Sequence, residues 1–203
     1  MKIRVPENIS DITLEQYQRY HKLVERKDID ELNFNKRLVE IFCGISYHDS
    51  SKINAKDYLE IIEMVKFAIG QDSDFVQRFE MNGLEFGFIP NLNDMTFDEY
   101  RALSNFGVEV DNLHLLMSVL FRPITNTDSF GNYSIMPYTG IKEYSDVMKQ
   151  TPMNVVNGAL VFFLNLSREL NSHIQKCIVQ EQVRVNKRAT ISENGIGTPL
   201  GTS

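Results

Sequence analysis

The four histidines are the first candidates for acid–base or metal chemistry, but their spacing supports neither. They are His21, His48, His114 and His173. No HExxH or HxH pattern and no His–Cys pair at ligand spacing occurs, so we predict no metal site. Asp49 follows His48 directly, and adjacent residues seldom face each other as a base and its orienting carboxylate. We expect His114, inside an apolar helix, to be a core histidine.

The two cysteines and the glycines give no better candidate for catalysis. Cys43 and Cys177 lie far apart and form no CxxC pair, which excludes a disulfide framework and favours a reducing compartment. The usual role of such residues is that of a small buried hydrophobe. The single Gly-x-Gly, residues 195–197, follows a predicted helix and cannot cradle phosphate in the usual way. We therefore predict no catalytic residue, no cofactor and no enzymatic activity.

Composition limits the partners of the chain. The 203 residues carry a net charge of −6, which is a poor match for a phosphate backbone, so no direct nucleic-acid readout is expected. The N-terminus has no apolar stretch typical of a signal peptide. The most apolar stretch, around residues 155–166, is shorter than the ~20 residues that span a bilayer, so no membrane association is expected.

Most of the predicted secondary-structure elements are helices, and these would have to position any functional site. Thr13 with Gln16 forms a capping box that predicts a first helix. Periodic apolar residues predict two more helices, over about 32–43 and from about Asn54 to Ile69. Thr96 opens a fourth helix, and Asp111 is the predicted cap of a fifth that Arg122-Pro123 would stop. Residues 124–139 are predicted to be a loop containing a short strand near 133–136, followed by a short helix over 140–149.

One β-hairpin interrupts the helical pattern. Asn82-Gly83 separates two alternating runs, and both residues tolerate the positive φ of a type I′ turn. Thr151-Pro152 then starts a last helix that nothing obliges to stop before about residue 186. The predicted fold class is mainly α: a compact helical body with one β-hairpin (about 75–89), a long C-terminal helix and an extended C-terminal arm. We expect residues 1–186 to form one domain and residues 187–203 to form this C-terminal arm.

Two helix starts resemble each other closely. Residues 11–17 (DITLEQY) and 94–100 (DMTFDEY) match at seven positions with conservative changes. Capping boxes resemble one another for physical reasons, and this explanation is favoured over a duplication or a shared binding unit. The segments that follow the two copies diverge.

Short segments along the chain also resemble a known group of proteins. They are Phe88–Leu92, Thr96–Tyr100, Leu113-His114, Leu120–Ile124, Tyr138–Gly140 and Gly158–Phe163, in that order. Together they resemble small proteins encoded among the structural genes of tailed bacteriophages, including crAss-like phages. The resemblance covers roughly residues 10–170, leaves the C-terminal arm outside and carries over no catalytic residue.

The resemblance implies a virion component of the neck, connector or tail, assembled in the bacterial cytoplasm, with other virion proteins as partners. Ring-forming connectors are commonly helical bodies with a terminal arm, so a homo-oligomeric ring is expected. Two alternatives stay open: a non-virion chaperone of tail or baseplate assembly, and a small enzyme or packaged cargo protein.

The C-terminal arm is the predicted partner-binding segment. Basic residues at the end of a helix are favoured by its dipole and could also meet an acidic partner. Apolar residues spaced among Gly, Thr and Pro suit an extended peptide laid on a neighbour. The predicted contact residues are Arg184, Lys187, Arg188, Ile191, Ile196, Pro199 and Leu200.

Overall fold

The computed structural model describes residues 3–106, 109–140 and 144–165. These residues form seven helices and four strands. The helices are α1 (Leu14–Val24), α2 (Glu31–Cys43), α3 (Ala55–Ile69), α4 (Phe97–Phe106), α5 (Leu113–Leu120), α6 (Ser145–Met148) and α7 (residues 153–165). The strands are β1 (Arg78–Met81), β2 (Leu84–Phe88), β3 (Phe121–Thr127) and β4 (Tyr133–Ile135). The chain divides into two units, Met1–Leu160 and Val161–Ser203, and the contacts described below belong to the first.

The helix signals of the N-terminal half are confirmed. The Thr13 hydroxyl accepts from the Gln16 N–H and the Gln16 side chain accepts from the Thr13 N–H, as the capping box requires. Gly44 closes α2 with a φ of 67°, a left-handed conformation that glycine adopts without strain. Asn54 caps α3 by accepting from the Lys56 N–H. These helices bury one apolar face each, as their periodicity predicts.

The predicted hairpin is present, but it is only half of a larger sheet. β1 pairs with β2 through Asn82 and Gly83, whose φ values are 54° and 75°. β2 also pairs with β3, and β3 with β4, so the order is β1-β2-β3-β4 and every pairing is antiparallel. The predicted fold class is therefore wrong in its single hairpin: helices still predominate among the described residues, but a four-stranded antiparallel sheet packs with them.

The number of strands is wrong in the prediction mainly because the sequence does not predict strand β3. Arg122-Pro123 signals a helix stop, and α5 does end at Leu120, but the chain continues directly into a strand. Proline lacks the N–H that a ladder needs, so it argues against a central strand. Pro123 nevertheless lies opposite Phe86, and its carbonyl oxygen accepts from the Met136 N–H at 2.9 Å. Likewise Asp111 does not cap α5, because Asn112 occupies the N-cap position.

The last described helix, α7, begins where Thr151-Pro152 predicts. Met153, Val155, Val156 and Ala159 are buried, which confirms a core position for its first turns. The long C-terminal helix to about residue 186 is not supported, because the described helix extends only to residue 165. The predicted boundary at residue 186 and the C-terminal arm lie outside the described residues.

Gly158 allows α7 to approach the segment before the hairpin. A Cβ built on Gly158 would collide with the backbone carbonyl of Asp74 and lie 2.9 Å from the Phe75 Cα. We predict that Gly158→Ala lowers the free energy of unfolding by about 1–3 kcal/mol, because backbone atoms must move to make room. Urea denaturation followed by circular dichroism measures this loss.

Gly70→Ala is the matched control for this variant. A Cβ on Gly70 would meet its nearest neighbour, the Lys66 carbonyl oxygen, at an ordinary 3.5 Å. The control should change the unfolding free energy by about 0.5 kcal/mol or less. An equal effect of both variants would contradict the close approach at Gly158.

Candidate interaction site

The two similar helix starts share more than a capping box. The match extends to ten residues, Asn8–Tyr17 and Asn91–Tyr100, which we call the first and second motif copies. Near the start of each copy lies a 3-10 turn, Ile9–Asp11 or Leu92–Asp94, and after two intervening residues the chain enters an α-helix. Capping alone does not account for a shared turn upstream of the cap. The two copies are therefore one local unit used twice.

Backbone hydrogen bonds show the same conformation in both turns. In the first copy the Asp11 N–H donates to the Asn8 carbonyl at 3.0 Å, and in the second the Asp94 N–H donates to the Asn91 carbonyl at 3.2 Å. The next N–H in each copy, of Ile12 or Met95, donates three residues back at 3.2 and 3.3 Å. The turn and the helix start thus have the same hydrogen-bond pattern in both places.

The third helical residue of each copy has two tasks. Gln16 accepts from the Thr13 N–H through Oε1, and its Nε2 donates to the Ile41 carbonyl of α2 at 3.0 Å. Glu99 accepts from the Thr96 N–H and hydroxyl through Oε2. Its Oε1 lies 2.5 Å from Nη2 of Arg122 on β3. In both copies one side chain caps the helix and ties it to a neighbouring element.

The Glu99–Arg122 ion pair is buried, with both side chains at least nine-tenths covered. The Arg122 guanidinium also lies 6.0 Å from the centre of the Tyr138 ring. Burial raises the pKa of the Tyr138 hydroxyl, and the charges of Asp98 and Glu99 act in the same direction. Two buried charges held at contact distance fix the position of α4 against β3.

The first motif copy is covered by an extended segment of the same chain. Thr13 and Pro152 form an antiparallel bridge. The Leu14 N–H donates to the Thr151 carbonyl at 2.9 Å, and the Met153 N–H donates to the Ile12 carbonyl at 2.8 Å. Ile12, Leu14, Thr151 and Met153 are completely buried by this contact and the surrounding core. The first copy thus acts as an intramolecular docking site for a Thr-Pro-Met segment.

The second motif copy has the same geometry and an open surface. Phe97, which corresponds to Leu14, is 75% exposed, and Tyr100 is 62% exposed. Within the part of the chain that the structure describes, neither the Phe97 N–H nor the Met95 carbonyl is paired with another segment. Among the described residues, the start of this helix therefore presents two exposed aromatic rings and two backbone groups that pair with no other segment. We regard residues 95–100 as the candidate interaction site.

A groove of about 560 Å³ lies beside the first motif copy. Its lining includes Arg4, Asp11 and Glu15, and the Cys43 thiol at the end of α2. Burial raises the pKa of this thiol to about 11, so it is protonated at neutral pH. Cys43 is therefore half-buried beside the groove, not the fully buried hydrophobe that the sequence predicts, and Cys177 lies outside the described residues.

His114 lies on α5 and contacts a neighbouring helix. Its Nδ1 is 3.2 Å from Nε2 of Gln18, which also donates to the Val110 carbonyl at 2.8 Å. Burial is the main cause that lowers the pKa of this half-buried histidine. The contact joins α1 to the start of α5 and explains why Gln18 can be buried.

Among the described residues, no group of three or more His, Cys, Asp or Glu side chains could hold a metal ion. In the same part of the chain no helix is long and apolar enough to cross a membrane. The predicted contact residues lie outside the described residues, so the structure places none of them. They are Arg184, Lys187, Arg188, Ile191, Ile196, Pro199 and Leu200.

Sequence reasoning missed the residues that define this site. The similarity of the two copies was visible, but Phe97 and Tyr100 fit an ordinary amphipathic helix and gave no sign of exposure. The Glu99–Arg122 pair joins residues 23 positions apart in elements whose pairing depends on the missed strand β3. A longer alignment of the two copies, starting at Asn8 and Asn91, would have revealed the shared unit.

The sequence matches no protein-family model, no curated protein and no solved structure.

The ion pair can be tested separately from the cap. Glu99→Gln keeps an oxygen that can accept from Thr96, as Gln16 does in the first copy, but leaves the buried Arg122 charge without a counter-charge. We predict a loss of about 3–5 kcal/mol of unfolding free energy, measured by urea denaturation. Asp98→Asn is the control, because the Asp98–Arg101 pair is exposed and should contribute about 0–1 kcal/mol. Equal losses would contradict the buried pair.

The protonated state of Cys43 is tested by its alkylation rate. With a pKa of about 11 against an ordinary value of 9.0, the folded protein holds roughly a hundredth of the usual thiolate at pH 8. We predict that iodoacetamide labels Cys43 about 100-fold more slowly in the folded than in the unfolded chain. The folded rate should also rise with pH up to about 11. Peptide-resolved mass spectrometry measures it at Cys43 alone, and equal rates at pH 8 would refute the burial effect.

Proposed function

We propose that this protein is a structural component of a tailed-phage virion, in a ring of the neck, connector or tail. It acts by protein–protein contact, and its C-terminal arm docks on a neighbouring virion protein. The observation that carries the proposal is the second motif copy, which presents Phe97 and Tyr100 to solvent from a helix fixed by a buried ion pair.

Exposed rings on a rigid helix favour association. Covering a large apolar side chain contributes about 1.5–3 kcal/mol, and aromatic residues are enriched where proteins contact each other. Because Glu99 and Arg122 already hold α4, little ordering cost is added at this surface when a partner binds. The surface is thus preorganised for contact.

A second exposed surface supports contacts in more than one direction. α3 presents Leu59 and Phe67 on its outer side, 63% and 69% exposed. A ring built from identical subunits needs two different contact surfaces on each copy, because its contacts are head-to-tail. Exposed apolar residues on both α3 and α4 are consistent with this requirement.

The phage assignment rests on the resemblance of segments between Phe88 and Phe163 to small phage structural proteins. Under this proposal the protein assembles in the bacterial cytoplasm and ends in the virion, with other virion proteins and further copies of itself as partners. The surface of the second motif copy supports the proposal of protein–protein contact, and the resemblance supports the proposal that this contact occurs in a phage virion.

Quantitative mass spectrometry of purified virions tests the proposal. We predict that the protein is present at a fixed copy number per particle, matching a whole number of subunits per ring. Washing the particles in high salt should leave this number unchanged, since apolar contacts do not weaken with ionic strength as surface charge pairs do.

Two other results of this measurement would contradict the proposal. A protein required for infectious particles yet absent from them would be an assembly chaperone. A variable copy number that falls on opening the capsid would indicate packaged cargo. Either result would overturn the structural assignment.

A further inference from the structure

Thr-Pro followed by an apolar residue occurs at two places in the chain. Only two of the six prolines follow a threonine: Pro152 in Thr151-Pro152-Met153 and Pro199 in Thr198-Pro199-Leu200. The first of these segments covers the first motif copy. The second belongs to the C-terminal arm.

The contact in the first copy shows why a Thr-Pro-apolar segment fits. Both hydrogen bonds of the bridge use residues that flank the proline, the Thr151 carbonyl and the Met153 N–H. The missing N–H of Pro152 therefore costs no hydrogen bond, and its fixed φ holds the segment extended. Thr151 and Met153 then bury their side chains completely.

The second motif copy offers the same acceptor without an occupant among the described residues. Its Phe97 N–H and Met95 carbonyl correspond to the Leu14 N–H and Ile12 carbonyl that bind Thr151 and Met153. The capping box beside them is alike in both copies, with the threonine hydroxyl accepting from the third helical N–H at 3.3 Å. The local backbone that receives the segment is therefore already formed.

We propose that Thr198–Leu200 of the C-terminal arm of a second copy docks on the second motif copy. The Leu200 N–H donates to the Met95 carbonyl, and the Phe97 N–H donates to the Thr198 carbonyl. Pro199 lies opposite Thr96, and Leu200 takes the place of Met153 beside the aromatic ring of Phe97. This inference rests on the proposed function, since it names the surface on which the arm docks.

The C-terminal arm is long enough to reach a second copy. About 30 residues separate residue 165 from Thr198, and a chain of that length can reach up to ~100 Å, well beyond one small domain. Each copy then carries one arm and one acceptor, so contacts run head-to-tail and close into a ring when the rotation allows. Each contact is small, and closing the ring makes the last one intramolecular and therefore stronger.

Photo-crosslinking in the full-length chain tests the register and the source together. Leu200→p-benzoylphenylalanine is prepared unlabelled and mixed with 15N-labelled wild-type chain before irradiation. We expect the adduct on residues 95–100 of the labelled chain, identified by mass spectrometry of the crosslinked peptides. Adducts mainly on other residues, or only within the unlabelled chain when it is diluted, would overturn the proposal.

Variants of exposed residues supply the matched comparison. Phe97→Ser should lower the yield of the crosslink to residues 95–100 at least tenfold, because the ring that Leu200 contacts is removed. Phe130→Ser, in the turn between β3 and β4, removes a ring that is 90% exposed and outside both contact surfaces, and it should leave the yield unchanged. Pro199→Ala keeps both flanking hydrogen-bonding residues and should lower the yield by a smaller factor. Equal losses in the two Phe→Ser variants would contradict docking at the second copy.

The crosslinking experiment and the virion copy number test different claims, so one can fail while the other holds. A fixed copy number in particles with no crosslink to residues 95–100 would retain the structural role and reject this docking surface. A crosslink between copies of a protein that particles lack would retain the surface and reject the virion role.

Discussion

Thr13 and Pro152 lie opposite each other in an antiparallel bridge, and both helices that flank it begin within one residue of that pair. Each of the two segments supplies a carbonyl group for an N–H of the other segment. The open N–H at the start of α1 is satisfied by the Thr151 carbonyl, while the Met153 N–H is satisfied by the Ile12 carbonyl. This one contact joins residues about 140 positions apart and closes the body around the sheet and helices between them. Without it, α1 and α7 would each start with unsatisfied backbone groups in the core.

The two motif copies show how one local unit can serve opposite purposes. In both, the capping side chain also ties its helix to the body, through the Ile41 carbonyl for Gln16 and through Arg122 for Glu99. The first copy is then covered and contributes to the core. The second is held just as firmly, yet its first helical residue faces solvent. A surface that is already held in place needs little further ordering when a partner covers it, which is why the second copy bears the functional interpretation.

The sequence predicted elements better than their arrangement. Caps and turns depend on neighbouring residues, so Thr13, Gly44 and Asn82-Gly83 were recognised correctly. The sequence does not predict β3, because a proline such as Pro123 usually marks the end of a helix or strand. In the sheet, the Pro123 carbonyl accepts from the Met136 N–H, and no local sequence pattern connects these two residues. The exposure of Phe97 could not be predicted either, because the local sequence of a helix start does not show whether another segment covers it. The partner-binding residues predicted in the C-terminal arm stay predictions.

The sheet has two outer strands, and their character restricts how copies of this protein can meet. β4 has three residues, and β1 has four, of which Arg78 and Glu80 carry charge. Short or charged edges are poor templates for further strands, so sheets of neighbouring copies are discouraged from merging side by side. In the proposed assembly many identical subunits would lie close together, where an unwanted sheet could grow without limit, whereas a ring stops when it closes. If copies assemble as proposed, the short and charged edges of this sheet would keep that finite assembly from growing into a fibre.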